Sequence, residues 1–333
     1  MKNALKTSFY GLRFWWLLIP FVLGAILLIV GSFADLDLSK AIVDQSSGWG
    51  IFWEGWGMIL CFLIVTIGAA ALGSGLFQLE KKVWKVLGIA MLVIGIGAMV
   101  YYTGHFLLEP FTGNEWLYNM GKGGKILAYG IGVVLMVPTG VGCFFLFKRK
   151  DAAKLIRIGL LIVLWVALQA GILEIVKRAC YRPRFRWLFG DTYDATGALV
   201  HAPSERAALF RAWFENWQWF SKKGYSDPTN PITYAADSDY IKSWPSGHTG
   251  MASILLAVPL FFPLFGMKEE KCRTIQPICF VLCGVLFLSV AYARIRVGAH
   301  WLSDVGASMV IALLIPFIFL PIDRRIAQKR NLE

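Results

Sequence analysis

Apolar runs about as long as a bilayer is thick recur along nearly the whole chain, and this feature constrains the fold more than any other. Eight stand out, at about 14–33, 52–77, 84–104, 126–147, 157–176, 247–266, 274–293 and 304–322. Each lies near the roughly 20 residues a helix needs to cross a hydrocarbon core of about 30 Å. Lipid offers no hydrogen-bond partner to an exposed backbone, so such runs cross as helices that satisfy their own amides. A mean hydropathy of +0.60 and a hydrophobic share of 57% exclude an ordinary soluble domain. The sequence therefore predicts an all-α, polytopic transmembrane helix bundle of about eight spans. The fourth run carries Pro138 and several glycines. It is kept as a span because losing it would invert everything downstream.

The net charge of +12 sits mostly in short clusters between runs: "EKKVWK" (80–85), "KRKDAAKLIR" (148–157), "KEEKCR" (268–273) and "DRRIAQKR" (323–330), with Lys2, Lys6 and Arg13 near the start. This alternation is a topology signal rather than a nucleic-acid signal, and no nucleic-acid partner is expected. It places the clusters and both termini in the cytoplasm. Residues 34–51, 105–125, 177–246 and 294–303 then face the periplasm or exterior of a cytoplasmic membrane. No small-residue cleavage site follows the first run, which is read as a retained span. Six cysteines form neither a zinc pattern nor a disulfide framework. Within the long outward stretch, "SERAALFRAWFENWQWFSKKG" (204–224) predicts a Trp-rich amphipathic helix with Ser204 as N-cap. Lying at the headgroup level and packing on its own domain are equally open readings of it.

Three polar clusters fall on the outward side: "KRACYRPRF" (177–185), "PSGH" (245–248) and "ARIRVGAHWLSD" (293–304). Ionisable groups this close to spans are costly and tend to be functional. Lys177, Arg182, Arg184 and Arg294 supply positive charge, and Arg matches phosphate oxygens with a planar fork. Ser246 and Gly247 open a helix whose backbone N–H groups favour an anion. His300 and Asp304 are spaced i, i+4, so the carboxylate can accept from one ring nitrogen and leave the other as a directed lone pair. His248 is a second imidazole suited to proton transfer. Each piece alone has a plain reading: a structural histidine, a snorkelling arginine, a helix cap. Their convergence on one face is what argues for a site.

Taken together, Lys177 with Arg184 seven residues on, Pro245-Ser246-Gly247-His248, and Arg294, His300 and Asp304 resemble the signature of the type 2 phosphatidic acid phosphatase superfamily, K-x6-RP, PSGH and SR-x5-H-x3-D. Two positions depart from it: Phe185 stands for Pro and Ala293 for Ser. The resemblance covers about residues 157–322 and leaves the first two or three spans outside. It implies a six-helix phosphatase-like core. Residues 1–110 would then be amino-terminal helices, 111–322 the core with an outward insert at 185–243, and 323–333 a cytoplasmic tail. It implies His300 as nucleophile, Asp304 as its orienting group, and His248 as acid and then base. Lys177, Arg184, Ser246, Gly247 and Arg294 would hold the phosphate. No metal and no cofactor are implied, and the expected partners are a lipid phosphate or pyrophosphate substrate and membrane lipid. A lipid phosphotransferase and a sugar-phosphate phosphatase stay open within the family.

Two readings from other classes compete. An anion transporter would need polar residues near the midplane of several spans. Glu174 is the clear intramembrane carboxylate, and its simplest partners are Lys177 and Arg178. A two-His-one-carboxylate metal site built from His248, His300 and Asp304 is opposed by its basic neighbours, which would repel a cation. The sequence leaves the oligomeric state open.

Overall fold

The computed structural model describes residues 8–9, 12–108, 115–180, 182–189, 192–193, 199–201 and 242–329. The helix predicted over 204–224, and most of the 185–243 insert, lie outside the described residues. Among the described residues, eleven α-helices follow in chain order: α1 Phe14–Ile42, α2 Gly48–Gly55, α3 Gly57–Phe77, α4 Lys82–Leu107, α5 Glu115–Asn119, α6 Lys122–Phe147, α7 Ala152–Cys180, α8 Phe185–Phe189, α9 Gly247–Ala252, α10 Glu269–Arg296 and α11 Leu302–Lys329. Among the described residues, β structure is limited to two short antiparallel pairs, Ser8–Phe9 with Leu12–Arg13 and Thr192–Tyr193 with Leu199–His201.

Among the described residues, seven helical stretches are long and apolar enough to cross a membrane. The eighth predicted span is shorter: α9 runs for 6 residues and continues as a 3-10 helix, Ser253–Phe261, for 9. At about 1.5 Å per α residue and 2.0 Å per 3-10 residue, the two cover about 27 Å. The tighter winding lengthens the segment, so 15 residues reach almost as far as a full span. Its far end packs Phe265 on Phe147, ring centroids 5.4 Å apart, at the end of α6. The segment thus runs from one end of the bundle to the other. α6 passes through Pro138 as one helix.

The helices close on small residues, because lipid tails supply no hydrophobic drive between apolar helices and close backbone approach must serve instead. α1 lies along α11 where Gly24 faces Gly306: a Cβ on Gly306 would meet the Gly24 carbonyl at 2.6 Å. α3 occupies the centre, packed on α4, α6 and α7. Its contact with α4 is a mutual glycine notch, where a Cβ on Gly73 would meet the Gly88 carbonyl at 2.6 Å. At the bundle end that carries the basic loops, Arg157 of α7 donates from Nε to Asp323 of α11 at 2.8 Å.

Two helix boundaries differ from the sequence reading in ways that matter. α1 does not stop near residue 33 but continues to Ile42, and α2 begins at Gly48 inside the expected connection. Ser47 caps α2 by accepting from the Gly50 amide. The extension of α1 carries Asp35, and α2 carries Glu54, into the interior at the opposite end from the basic loops.

Candidate active site

All three predicted clusters meet at that end, and main-chain hydrogen bonds fasten them pairwise. The Ser243 amide donates to the Arg182 carbonyl at 2.9 Å, joining the first cluster to the stretch before "PSGH". The Ser246 amide donates to the Asp304 carbonyl at 3.2 Å, joining the second to the third. The Arg186 amide donates to the Gly298 carbonyl at 2.8 Å, joining the first to the third. Gly298 has φ +68, a left-handed conformation that favours glycine, and a Cβ there would meet Arg186 Cβ at 3.1 Å.

His300 sits in the turn before α11, 1% exposed. Its Nδ1 lies 2.6 Å from the Ser243 carbonyl, which can only accept, so Nδ1 carries the proton and Nε2 keeps the lone pair. Asp304 Oδ2 is 3.5 Å from the same nitrogen. The expected primary acceptor is thus corrected: a main-chain carbonyl takes the hydrogen bond, and the carboxylate stands behind it. The reason is that α11 begins only at Leu302. Asp304 therefore occupies its third position and reaches back to the Trp301 amide at 2.8 Å, as the acid of a capping box does. The same Oδ2 accepts from Ser243 Oγ. Burial first, and then the charges of Arg294, Arg184, Lys177 and His248, hold the His300 imidazole well below the ordinary 6.5.

Arg182, read from the sequence as a source of positive charge without a family role, is 2% exposed and central. It donates from Nη1 to Asp304 and, at 2.6 Å, to Ser303 Oγ, and from Nη2 to Asp35 at 2.7 Å. Asp35 also accepts from the Ser303 amide at 3.0 Å and from its hydroxyl. Arg296, likewise without a family role, donates to the Ile42 carbonyl and to Asp44 at 2.8 Å, and pins the end of α1.

Basic side chains converge on the imidazoles. The charges of Arg294, Lys177, Arg184 and Arg186 all bear on His248. Lys177 Nζ lies 3.3 Å from where a Cβ on Gly247 would stand, so glycine keeps that approach open. Ser246 caps α9: its Oγ accepts from the Thr249 amide at 3.4 Å and from the Thr249 hydroxyl at 3.0 Å. Arg184 is buried. Arg294 donates to Glu54, and Arg186 donates to the same oxygen at 3.1 Å. His248 Nε2 is buried without a hydrogen-bond partner among the described residues. The Phe106 ring of α4 stands edge-on to its imidazole, centroids 4.7 Å apart. Phe185, where the signature has Pro, is buried against Trp301, centroids 5.5 Å apart. Ala293 is fully buried.

Glu174 pairs with Arg178 at 2.7 Å on an exposed face. Glu54, inside the second run, is by contrast a fully buried carboxylate, 0% exposed. Asp35, Glu54, Arg186, Ser243 and Phe106 were all missed as site residues. A carboxylate at the end of an apolar helix, on the face that carries the basic motifs, was the signal for the first two. Among the described residues no group of three or more His, Cys, Asp or Glu side chains is placed to hold a metal ion.

Fold and site together define a multi-pass helical membrane protein with a buried, tautomer-fixed histidine inside a ring of lysine and arginine. The family described as the PAP2 superfamily matches residues 154–326, just over half of the chain, and the protein belongs to it. That membership makes it a membrane phosphatase, a phosphoric monoester hydrolase in general terms. Comparison with curated proteins and with solved structures returns no match. The matched segment opens in the first turn of α7 and closes within α11, so Asp35, Glu54 and Phe106 belong to helices outside it.

Proposed function

We propose that the protein hydrolyses a lipid phosphate or pyrophosphate through a phosphohistidine at the outward face of the cytoplasmic membrane. The observation that carries the reading is the 2.6 Å contact between His300 Nδ1 and the Ser243 carbonyl, which leaves Nε2 as a directed nucleophile. His300 Nε2 attacks phosphorus, forming a P–N bond as the bond to the leaving oxygen breaks. His248 gives that oxygen a proton. Water then attacks phosphorus, His248 takes its proton, and the P–N bond breaks to release phosphate. Lys177, Arg184 and Arg294, with Ser246 and the Gly247 backbone, hold the phosphoryl oxygens as charge builds on them. No metal or cofactor enters these steps.

A lipid substrate suits the position of the site. The imidazoles lie at the end of the bundle, where spans give way to connections, so a headgroup can reach them while its tail stays among lipid. The test uses purified protein in detergent with phosphorus-labelled lipid phosphate carrying a good leaving group. His248→Ala should still form phosphoenzyme and turn it over slowly, with acid-labile, base-stable label on residue 300. Label on a serine or aspartate overturns the mechanism. Phosphate release from a panel of lipid and sugar phosphates identifies the substrate class.

A further inference from the structure

Glu54 belongs to α2, outside the family segment, yet it holds two arginines of the site. It is 0% exposed, Arg294 is 1% exposed, and one oxygen, Oε1, accepts from both Arg294 and Arg186. The other oxygen, Oε2, is buried without a hydrogen-bond partner among the described residues. Such a carboxylate is tolerable only because two guanidiniums compensate it. Those guanidiniums are among the cations that converge on the imidazoles. The second acid near the nucleophile, Asp304, is committed to Arg182, Ser243 and the Trp301 amide. Glu54 is thus the acid set directly against the anion-facing arginines.

We infer that Glu54 is a charge counterweight in the phosphate site, a positioning residue that competes with bound phosphate for Arg294 and Arg186. The inference rests on the proposed phosphatase reading. Phosphate product carries much the same charge as the substrate headgroup. Cations that bind both equally tighten the complex without speeding the chemistry, and they slow product departure. A carboxylate on the same guanidiniums lowers the affinity for both. Its partner Arg186 then joins Lys177, Arg184 and Arg294 as a further phosphate-facing side chain. By linkage, whatever Glu54 takes from phosphate binding, its neutralisation must return.

The test is Glu54→Gln in the full-length detergent-purified protein. The amide keeps an oxygen for the arginines and removes the charge. Inhibition constants for inorganic phosphate and orthovanadate should fall by about fivefold or more, the lower range for coupled sites. The maximal rate and KM should fall together as product leaves more slowly, and Glu54→Asp, which keeps the charge, should leave the phosphate inhibition constant above that of Glu54→Gln. Constants that are unchanged or weakened in a folded variant overturn the counterweight. If Glu54→Gln fails to fold alone, added phosphate should restore it by supplying the missing countercharge, and a protein unfolded with or without phosphate overturns the inference. Wild type that binds neither phosphate nor vanadate sinks the phosphatase reading itself, a separate outcome.

Discussion

Asp35 of α1 and Asp304 of α11 are bridged by one buried guanidinium, that of Arg182. The carboxylate behind His300 is therefore held in place from the amino-terminal helix. Removing one partner of a buried pair leaves the other charge uncompensated and costs about 3–5 kcal/mol. Asp35→Ala is expected to lose that much in detergent unfolding, and to lose turnover as Arg182 and Asp304 shift. A loss below about 1 kcal/mol, the range of an exposed pair, speaks against the bridge.

Because Nδ1 of His300 is held by a main-chain carbonyl, removing the Ser243 hydroxyl keeps that acceptor. It does take one hydroxyl donor from the Asp304 carboxylate, so Ser243→Ala should lose about 10–100-fold, roughly what one hydrogen bond to a charged group is worth. His300→Ala should lose at least about 10²–10⁴-fold, the scale for a positioned proton-transfer group. Phosphate release from both variants, with folding checked by size exclusion, decides. Near-normal turnover in His300→Ala removes it from the nucleophile's role.

The depressed pKa of His300 has a signed consequence for stability. The unfolded chain takes up this proton near 6.5 and the folded chain only at lower pH. Stability is thus whole above 6.5 and is lost as pH falls from there towards the folded value. Melting in detergent at pH 7.5, 6.5 and 5.5 should show the fall, and His300→Asn should reduce it. An equal slope in the variant shows that other groups carry the acid sensitivity.

Gly298→Ala forces a side chain into a left-handed turn and against Arg186. About 1–2 kcal/mol of stability should go on backbone grounds alone. Vanadate inhibition should weaken as well, because the Arg186 amide is anchored on the Gly298 carbonyl. Unaltered inhibition in the folded variant separates the turn from the anion site.

The basic loops gather at the end of the bundle away from the imidazoles, which predicts that the site faces outward. A cysteine at Gln45, exposed at the site end, should react with a membrane-impermeant thiol reagent in intact cells. One at Asp151, exposed at the other end, should react only after lysis. The reverse pattern puts the enzyme on the cytoplasmic leaflet.

The spans were legible because lipid imposes length and apolarity on any helix that crosses it, and α3, α6 and α7 follow their runs closely. The three clusters were legible because their spacings are local. What the sequence could not show are partnerships across long separations. Glu54 and Arg294 are 240 positions apart, and Asp35 and Arg182 are 147 apart, so only the packing of α1 and α2 reveals them. His300 and Asp304 were paired by their i, i+4 spacing and by the family resemblance. Their bond is displaced because Ser243, reached through a fold-back of the chain, gets to Nδ1 first.

The mixed helix from Gly247 to Phe261 behaves as a taut strap. It is tied at one end by the Ser246 amide on Asp304, and near the other by Gln276 Nε2 on the Pro259 carbonyl at 3.1 Å. With three residues per 3-10 turn, one residue added between the ties rotates everything beyond it by about 120° and advances it by about 2 Å. The near tie lies on α11 and the far tie on α10, so an added residue must be absorbed between the two or break one of them. Length is thus a constraint on the candidate site: one residue more or less in this strap strains the tie that holds Ser246, and with it the neighbouring His248, beside Asp304.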